Sequence, residues 1–126
     1  MNKRLPMIAI VDDDLRVLES LENLLESAGY GVRTFTGAAA LLASDHSFID
    51  CLVTDIGMPG MDGFELLEIM KRSKPGLPVF LITGRHEIAD QERAAAKNIS
   101  GFFRKPFDAQ RLILEVSQAL SKVDGG

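Results

Sequence analysis

The chain has 126 residues, of which 46% are hydrophobic and 25% charged, and a formal net charge of −4. That length suits one domain with its own core, the composition excludes a disordered chain, and mild acidity disfavours direct nucleic-acid binding. No apolar run reaches membrane-spanning length, Met1 to Met7 is too short and polar for a signal peptide, and one cysteine, Cys51, excludes an internal disulfide. A cytoplasmic protein with Cys51 as a small core thiol is the expectation.

Met7–Val11 is a compact apolar run that ends in Asp12, Asp13 and Asp14, and it predicts a buried strand. Val17, Leu18, Leu21, Leu24, Leu25 and Ala28 then recur at helical spacing, and Gly29 stands where a left-handed helix end is expected. Residues 32–35 predict a second strand, followed by an alanine-rich helix over Ala38–Ala43. Residues 51–54 predict a third strand, which runs into Asp55. After the Met58-Pro59-Gly60 break, Leu66, Leu67 and Met70 mark a helix that Lys74-Pro75-Gly76 ends. Residues 79–82 predict a fourth strand, ending at Thr83-Gly84, and 87–97 a helix whose apolar side is mostly alanine. Gly101–Arg104 is the fifth strand, and Asp108 caps a last helix bearing Leu112, Val116, Ala119 and Leu120.

Short apolar strands that each lead to a helix imply a parallel sheet covered on both faces. Right-handed crossovers make it a doubly wound α/β domain, and ligands of such sheets collect at the carboxyl ends of the strands. Asp12, Asp13, Asp55, Thr83 and Lys105 all follow predicted strands, so they are expected on one rim. Clustered carboxylates repel unless a cation neutralises them. An all-oxygen set suits Mg²⁺, which takes one or two carboxylates and fills its octahedron with water and phosphate oxygens. A lysine and a hydroxyl beside it could then meet phosphoryl oxygens. A carboxylate is a known nucleophile in such chemistry, which otherwise asks mainly for positioning and charge neutralisation.

Four segments carry a resemblance: Val11-Asp12-Asp13-Asp14, Thr54-Asp55 with Met58-Pro59-Gly60-Met61-Asp62-Gly63, Ile82-Thr83-Gly84, and Phe103-Arg104-Lys105-Pro106-Phe107. In this order, each at a predicted strand end, they resemble the receiver domain of bacterial two-component response regulators over nearly the whole chain. The resemblance implies a flavodoxin-like sheet of strand order 2-1-3-4-5 with five helices on two faces. It implies a single domain over 1–126, with its core at 4–122 and a tail or linker start at 123–126. Asp55 is the implied phosphoacceptor. Asp12, Asp13, Asp55 and the backbone carbonyl of Gly57 are the implied Mg²⁺ ligands. Thr83 and Lys105 would contact the phosphoryl oxygens, the Lys105-Pro106 bond would be cis, and Phe102 matches the aromatic whose rotamer follows the threonine. The implied function is a phosphorylation-controlled switch, not a turnover enzyme in the usual sense, although it would catalyse its own phosphorylation and dephosphorylation. The implied partners are a sensor histidine kinase or phosphotransfer protein, an attached or separate effector (a DNA-binding domain by analogy), and a second copy in a phosphorylation-dependent homodimer.

The chain departs from the family pattern at positions that shape water access to the phosphoryl group, with Gly57 on one side and Arg85 on the other. Asn98-Ile99-Ser100 replaces a run of smaller residues, and Phe102 has no hydroxyl. Other readings stand beside these. Asp12 and Asp13 could cap the first helix, which is the expectation for Asp14. Thr83 alone would be a strand residue, and Lys105 a solvated one. Phe102 could be core alone. His46 and His86 lack ligand spacing and read as surface residues. Two other functions share part of the residue set. One is a Mg²⁺-dependent aspartyl-nucleophile phosphohydrolase, which would need a cap over its substrate and its nucleophile after the first strand. The other is a phosphate-independent receiver-like binding module, against which the intact acid set argues.

Overall fold

Strands buried on both faces need a helical layer on each side, and the chain alternates accordingly. The computed structural model describes residues 5–84 and 88–124, the last two by backbone alone. Five strands form one sheet: β1 (Met7–Val11), β2 (Gly31–Phe35), β3 (Cys51–Asp55), β4 (Val79–Thr83) and β5 (Gly101–Arg104). Their order is β2-β1-β3-β4-β5 and every pairing is parallel. Five helices connect or follow them: α1 (Leu15–Ser27), α2 (Ala38–Ala43), α3 (Gly63–Ser73), α4 (Ile88–Ala95) and α5 (Ala109–Asp124). This is the doubly wound fold expected from the strand pattern. No helix among the described residues is long and apolar enough to cross a membrane.

The period of two along each strand divides the core into two layers. Ile8, Ile10, Cys51, Val53, Phe80 and Ile82 face α1 and α5, packing on Leu18, Leu21, Leu25, Leu112, Val116 and Leu120. Ala9, Val11, Leu52, Val79 and Leu81 face the other way, onto Leu41 of α2, Phe64, Leu67 and Met70 of α3, and Ala94 of α4. Strands β3 and β4 are buried along their whole length, whereas β2, at the edge, is half-buried throughout. Cys51 is a buried free thiol, and burial pushes its pKa upward, so it packs as a small apolar residue.

Local chemistry sets the helix ends. Asp14 caps α1 by accepting from Arg16 N at 2.9 Å, and Gly29 follows the helix at φ +99°, where only glycine is unstrained. Asp62 and Glu65 form a capping box at the start of α3, with Glu65 N donating to Asp62 at 2.9 Å. Asp108 accepts from Gln110 N at 3.0 Å as α5 begins. The predicted 87–97 helix is shorter in the structure. Its regular part ends at Ala95, because Lys97 N turns back to Ala94 O at 3.0 Å and tightens the last turn. Strands β3 and β4 each run one residue further than expected, since Asp55 pairs with Ile82 and Thr83 with Arg104 in the ladder.

Candidate functional site

Parallel strands that end in register present their last residues side by side. Just beyond the ends of β1, β3 and β5, backbone hydrogen bonds continue the sheet: Asp12 N to Phe35 O at 3.1 Å, Ile56 N to Ile82 O at 2.9 Å, and Lys105 N to Thr83 O at 2.7 Å. The rim thus begins as a continuation of the hydrogen-bonded ladder. On it, carboxylate oxygens of Asp12, Asp13 and Asp55 lie within 4.8 Å of one another. Asp12 is fully buried and Asp55 is 5% exposed, while Asp13 is open to solvent.

Lys105 reaches across the rim. Its Nζ lies 2.8 Å from Asp12 Oδ2 and 3.7 Å from Asp55 Oδ2. Asp12 Oδ1 accepts from Asp14 N at 2.9 Å, whereas Oδ2 is buried with no hydrogen-bond partner, the lysine contact being an ion pair short of hydrogen-bond alignment. An oxygen whose one neighbour is a single ammonium keeps lone-pair capacity for a further cation. It faces two further carboxylates, a donor set with the hard-oxygen chemistry of a divalent cation such as Mg²⁺. These residues fit such an ion.

Electrostatics mark the same point. Burial, then the neighbouring charge of Asp12, pushes the Asp55 carboxyl up to about 6, with Asp13 adding to the push and Lys105 opposing it. Burial alone would lower the Lys105 ammonium, but its contact with Asp12 and the charges of Asp55, Asp12 and Asp14 raise it overall. One lysine thus serves an acid group that carries more negative charge than it can balance.

Thr83 is fully buried at the end of β4, and Gly57 is exposed in the turn that follows Asp55. The Lys105-Pro106 peptide is cis. Phe102 is half-buried against the α2–α4 side of the core, with the Arg104 guanidinium 6.0 Å from its ring centre. Asp14 caps α1, as expected of it, and its backbone N–H also holds Asp12. His46 Nδ1 meets Ser44 O at 2.9 Å in the loop that leads into β3, the strand whose far end carries Asp55. Arg85, His86 and Glu87 lie outside the described residues. Sequence reasoning missed three positioning features. The Asp62–Glu65 capping box was visible as an Asp-x-x-Glu pattern before an apolar run. The hydrogen bond from Thr54 Oγ1 to Asp55 O, at 3.0 Å, and the tight seat of Gly63 against that carbonyl had no sequence signal.

Residues 8–117 match the sequence model of the response regulator receiver domain. The chain belongs to that family. Receiver domains are the phosphorylation-controlled switches of two-component signalling, and neither a phosphohydrolase nor a phosphate-independent module is favoured by these matches. Among curated relatives of this receiver, the transcriptional regulatory protein FixJ of Bradyrhizobium diazoefficiens is 36% identical over 118 residues, covering 93% of this chain and 58% of that protein. The heme response regulator HssR of Staphylococcus epidermidis is 34% identical over 114 residues, 90% of this chain and 50% of that protein. The receiver thus spans about half the length of these relatives. Among solved structures, a CheY-like receiver domain protein of Methanospirillum hungatei superposes with a TM-score of 0.89 at 28% identity, covering 97% of this chain and 98% of that one. The response regulator StyR gives a TM-score of 0.83 at 39% identity, over 94% of this chain and 60% of that one.

Proposed function

We propose that this receiver takes a phosphoryl group onto Asp55 from the phosphohistidine of a sensor kinase or phosphotransfer protein. The observation that carries the reading is the buried Asp55 carboxyl, held between two further acids and one lysine at the end of a central strand. A carboxylate oxygen of Asp55 attacks phosphorus, the P–N bond of the donor breaks as the new P–O bond forms, and the departing imidazole takes its proton from solvent. Asp12, Asp13, Asp55 and the Gly57 carbonyl would hold Mg²⁺, which supplies neutralisation of the gathering negative charge. Lys105 then exchanges its contact with Asp12 for the phosphoryl oxygens, and the Thr83 hydroxyl turns to meet them.

Signal output follows from population shift. A phosphorylated Asp55 favours the arrangement in which Thr83 has moved inward and Phe102 fills the space it leaves, changing the face built by α4, β5 and α5. That face would engage an effector or a second copy of the chain. A transcriptional output is the reading nearest to the names of FixJ and its like. Gly57 and Arg85 would set how long the phosphoryl group survives by their control of water access.

Incubation with acetyl phosphate and Mg²⁺, followed by intact-mass measurement, tests the acceptor. The wild-type chain is expected to gain one phosphoryl mass and Asp55→Asn none. A wild type that gains no phosphate, or a variant that gains as much, would sink the reading.

A further inference from the structure

Strand β3 is buried from end to end, and Thr54 is fully buried one residue before Asp55. It pairs with Val11 on β1 and Leu81 on β4, and its neighbours on the same sheet face, Leu52 and Ile56, belong to the apolar layer over α2, α3 and α4. Valine has the same shape and no polar atom, so packing gives no reason for threonine here. A hydroxyl in such a place is costly unless it is hydrogen-bonded. It is: Thr54 Oγ1 donates to the main-chain carbonyl of Asp55 at 3.0 Å.

A second feature meets the same carbonyl. Gly63 opens α3 directly against it, and a Cβ at this position would run into Asp55 O and come within 2.9 Å of Ile56 Cα. Gly63 N also donates to Ile56 O at 2.9 Å, and Ile56 N donates to Ile82 O at 2.9 Å. The peptide between Asp55 and Ile56 is thus held at its oxygen by a hydroxyl, backed there by a bare glycine, and held at its nitrogen by β4. This peptide joins the Asp55 backbone to the turn that carries Gly57. Rotating it would shift the Gly57 carbonyl relative to the Asp55 carboxylate.

We infer that Thr54 is a positioning residue for phosphoryl transfer, its hydroxyl fixing the Asp55–Ile56 peptide so that the Asp55 carboxylate and the Gly57 carbonyl keep one mutual geometry. The inference rests on Asp55 being the phosphoacceptor. Small displacements of a reacting group and loss of a supporting hydrogen bond each cost at least an order of magnitude in comparable sites.

Two substitutions separate the hydroxyl from the packing. Thr54→Val keeps the branched shape and loses the donor, while Thr54→Ser keeps the donor and loses a buried methyl. Rates of phosphorylation by acetyl phosphate with Mg²⁺ and thermal melts are measured on both. Thr54→Val, which leaves the buried Asp55 carbonyl without its donor, is expected to melt somewhat lower than wild type and to react about tenfold more slowly. Thr54→Ser is expected to melt lower as well, for want of the methyl, yet keep the wild-type rate, so that the rate follows the hydroxyl and not the loss of stability. Thr54→Val reacting at the wild-type rate, or Thr54→Ser reacting as slowly as Thr54→Val, would overturn the inference. If Thr54→Val does not fold, the Ser and Ala variants make the same comparison, differing in the hydroxyl alone, and equal rates would again overturn it. A wild type that takes no phosphate removes the Asp55 reading and this inference with it, a result distinct from wild type reacting and Thr54→Val keeping pace.

Discussion

Asp55 is a carboxyl group placed where its charged form is disfavoured, and that has a consequence for stability. In the fold it titrates near 6, against 3.8 for the free side chain, because of burial first and the Asp12 charge second. Between those values the folded chain holds a proton that the unfolded chain has released. Stability therefore falls as pH rises through that window and stays lower above it. Asp55→Asn removes the titrating group and keeps the shape. With divalent cations chelated, the variant is expected to be more stable than wild type at pH 7.5, by on the order of 1 kcal/mol after solvent screening at the open rim. Near pH 3 the advantage should largely vanish, since both states of the wild type are then mostly protonated. Thermal or urea melts at the two pH values measure it. An advantage that is the same at both would mean that the gain comes from packing and not from charge.

Helix α4 is thinly tied to the core. Only Ala94 and Asp90 of its residues are buried, whereas α3 buries Phe64, Leu66, Leu67 and Met70. Polar contacts do much of the holding: Lys97 Nζ meets Glu68 Oε1 at 2.6 Å, Arg104 donates to Gln91 at 2.7 Å, and the Arg93 guanidinium lies 4.2 Å over the Phe64 ring. Exposed ion pairs contribute little, about 0–1 kcal/mol, so the stacked arginine is the strap to test. Arg93→Ala is expected to speed hydrogen exchange of the α4 amides while α1 and α3 keep theirs, at a global cost of about 0.5–1 kcal/mol. Exchange that rises equally in all three helices would show that α4 opens only with the whole domain. The same thin packing explains why this helix was hard to bound from sequence. Its alanines give no strong apolar period, and the Arg93–Phe64 contact joins residues too distant for any local pattern. The strands were legible because each is a short apolar run that stops at a polar residue, and the rim followed from where they stop. Thr54 was not legible, since threonine is an ordinary strand residue until its hydroxyl is seen to reach the Asp55 carbonyl.

At the scale of the whole molecule, the acid cluster links local chemistry to global stability. Asp12 and Asp13 extend β1 and Asp55 ends β3, and these two strands lie side by side at the centre of the sheet. Their carboxylates converge only when the sheet is formed, so a cation held among them binds the folded chain and not the unfolded one. Such binding stabilises by an amount that grows with the logarithm of ion concentration, about 2.7 kcal/mol at a hundredfold excess over the dissociation constant. For a domain of this size that corresponds to a rise in Tm of about 10 °C. The midpoint is therefore expected to climb steadily as Mg²⁺ is titrated at pH 7.5, with potassium chloride at matched ionic strength giving little change. Asp12→Asn removes the charge on the oxygen that has no hydrogen-bond partner and frees Lys105 from its nearest carboxylate. In that variant the rise is expected to shrink to a small fraction of the wild-type value. A wild-type Tm that ignores Mg²⁺ would mean that Lys105 already balances the cluster, and an undiminished rise in Asp12→Asn would place the ion elsewhere.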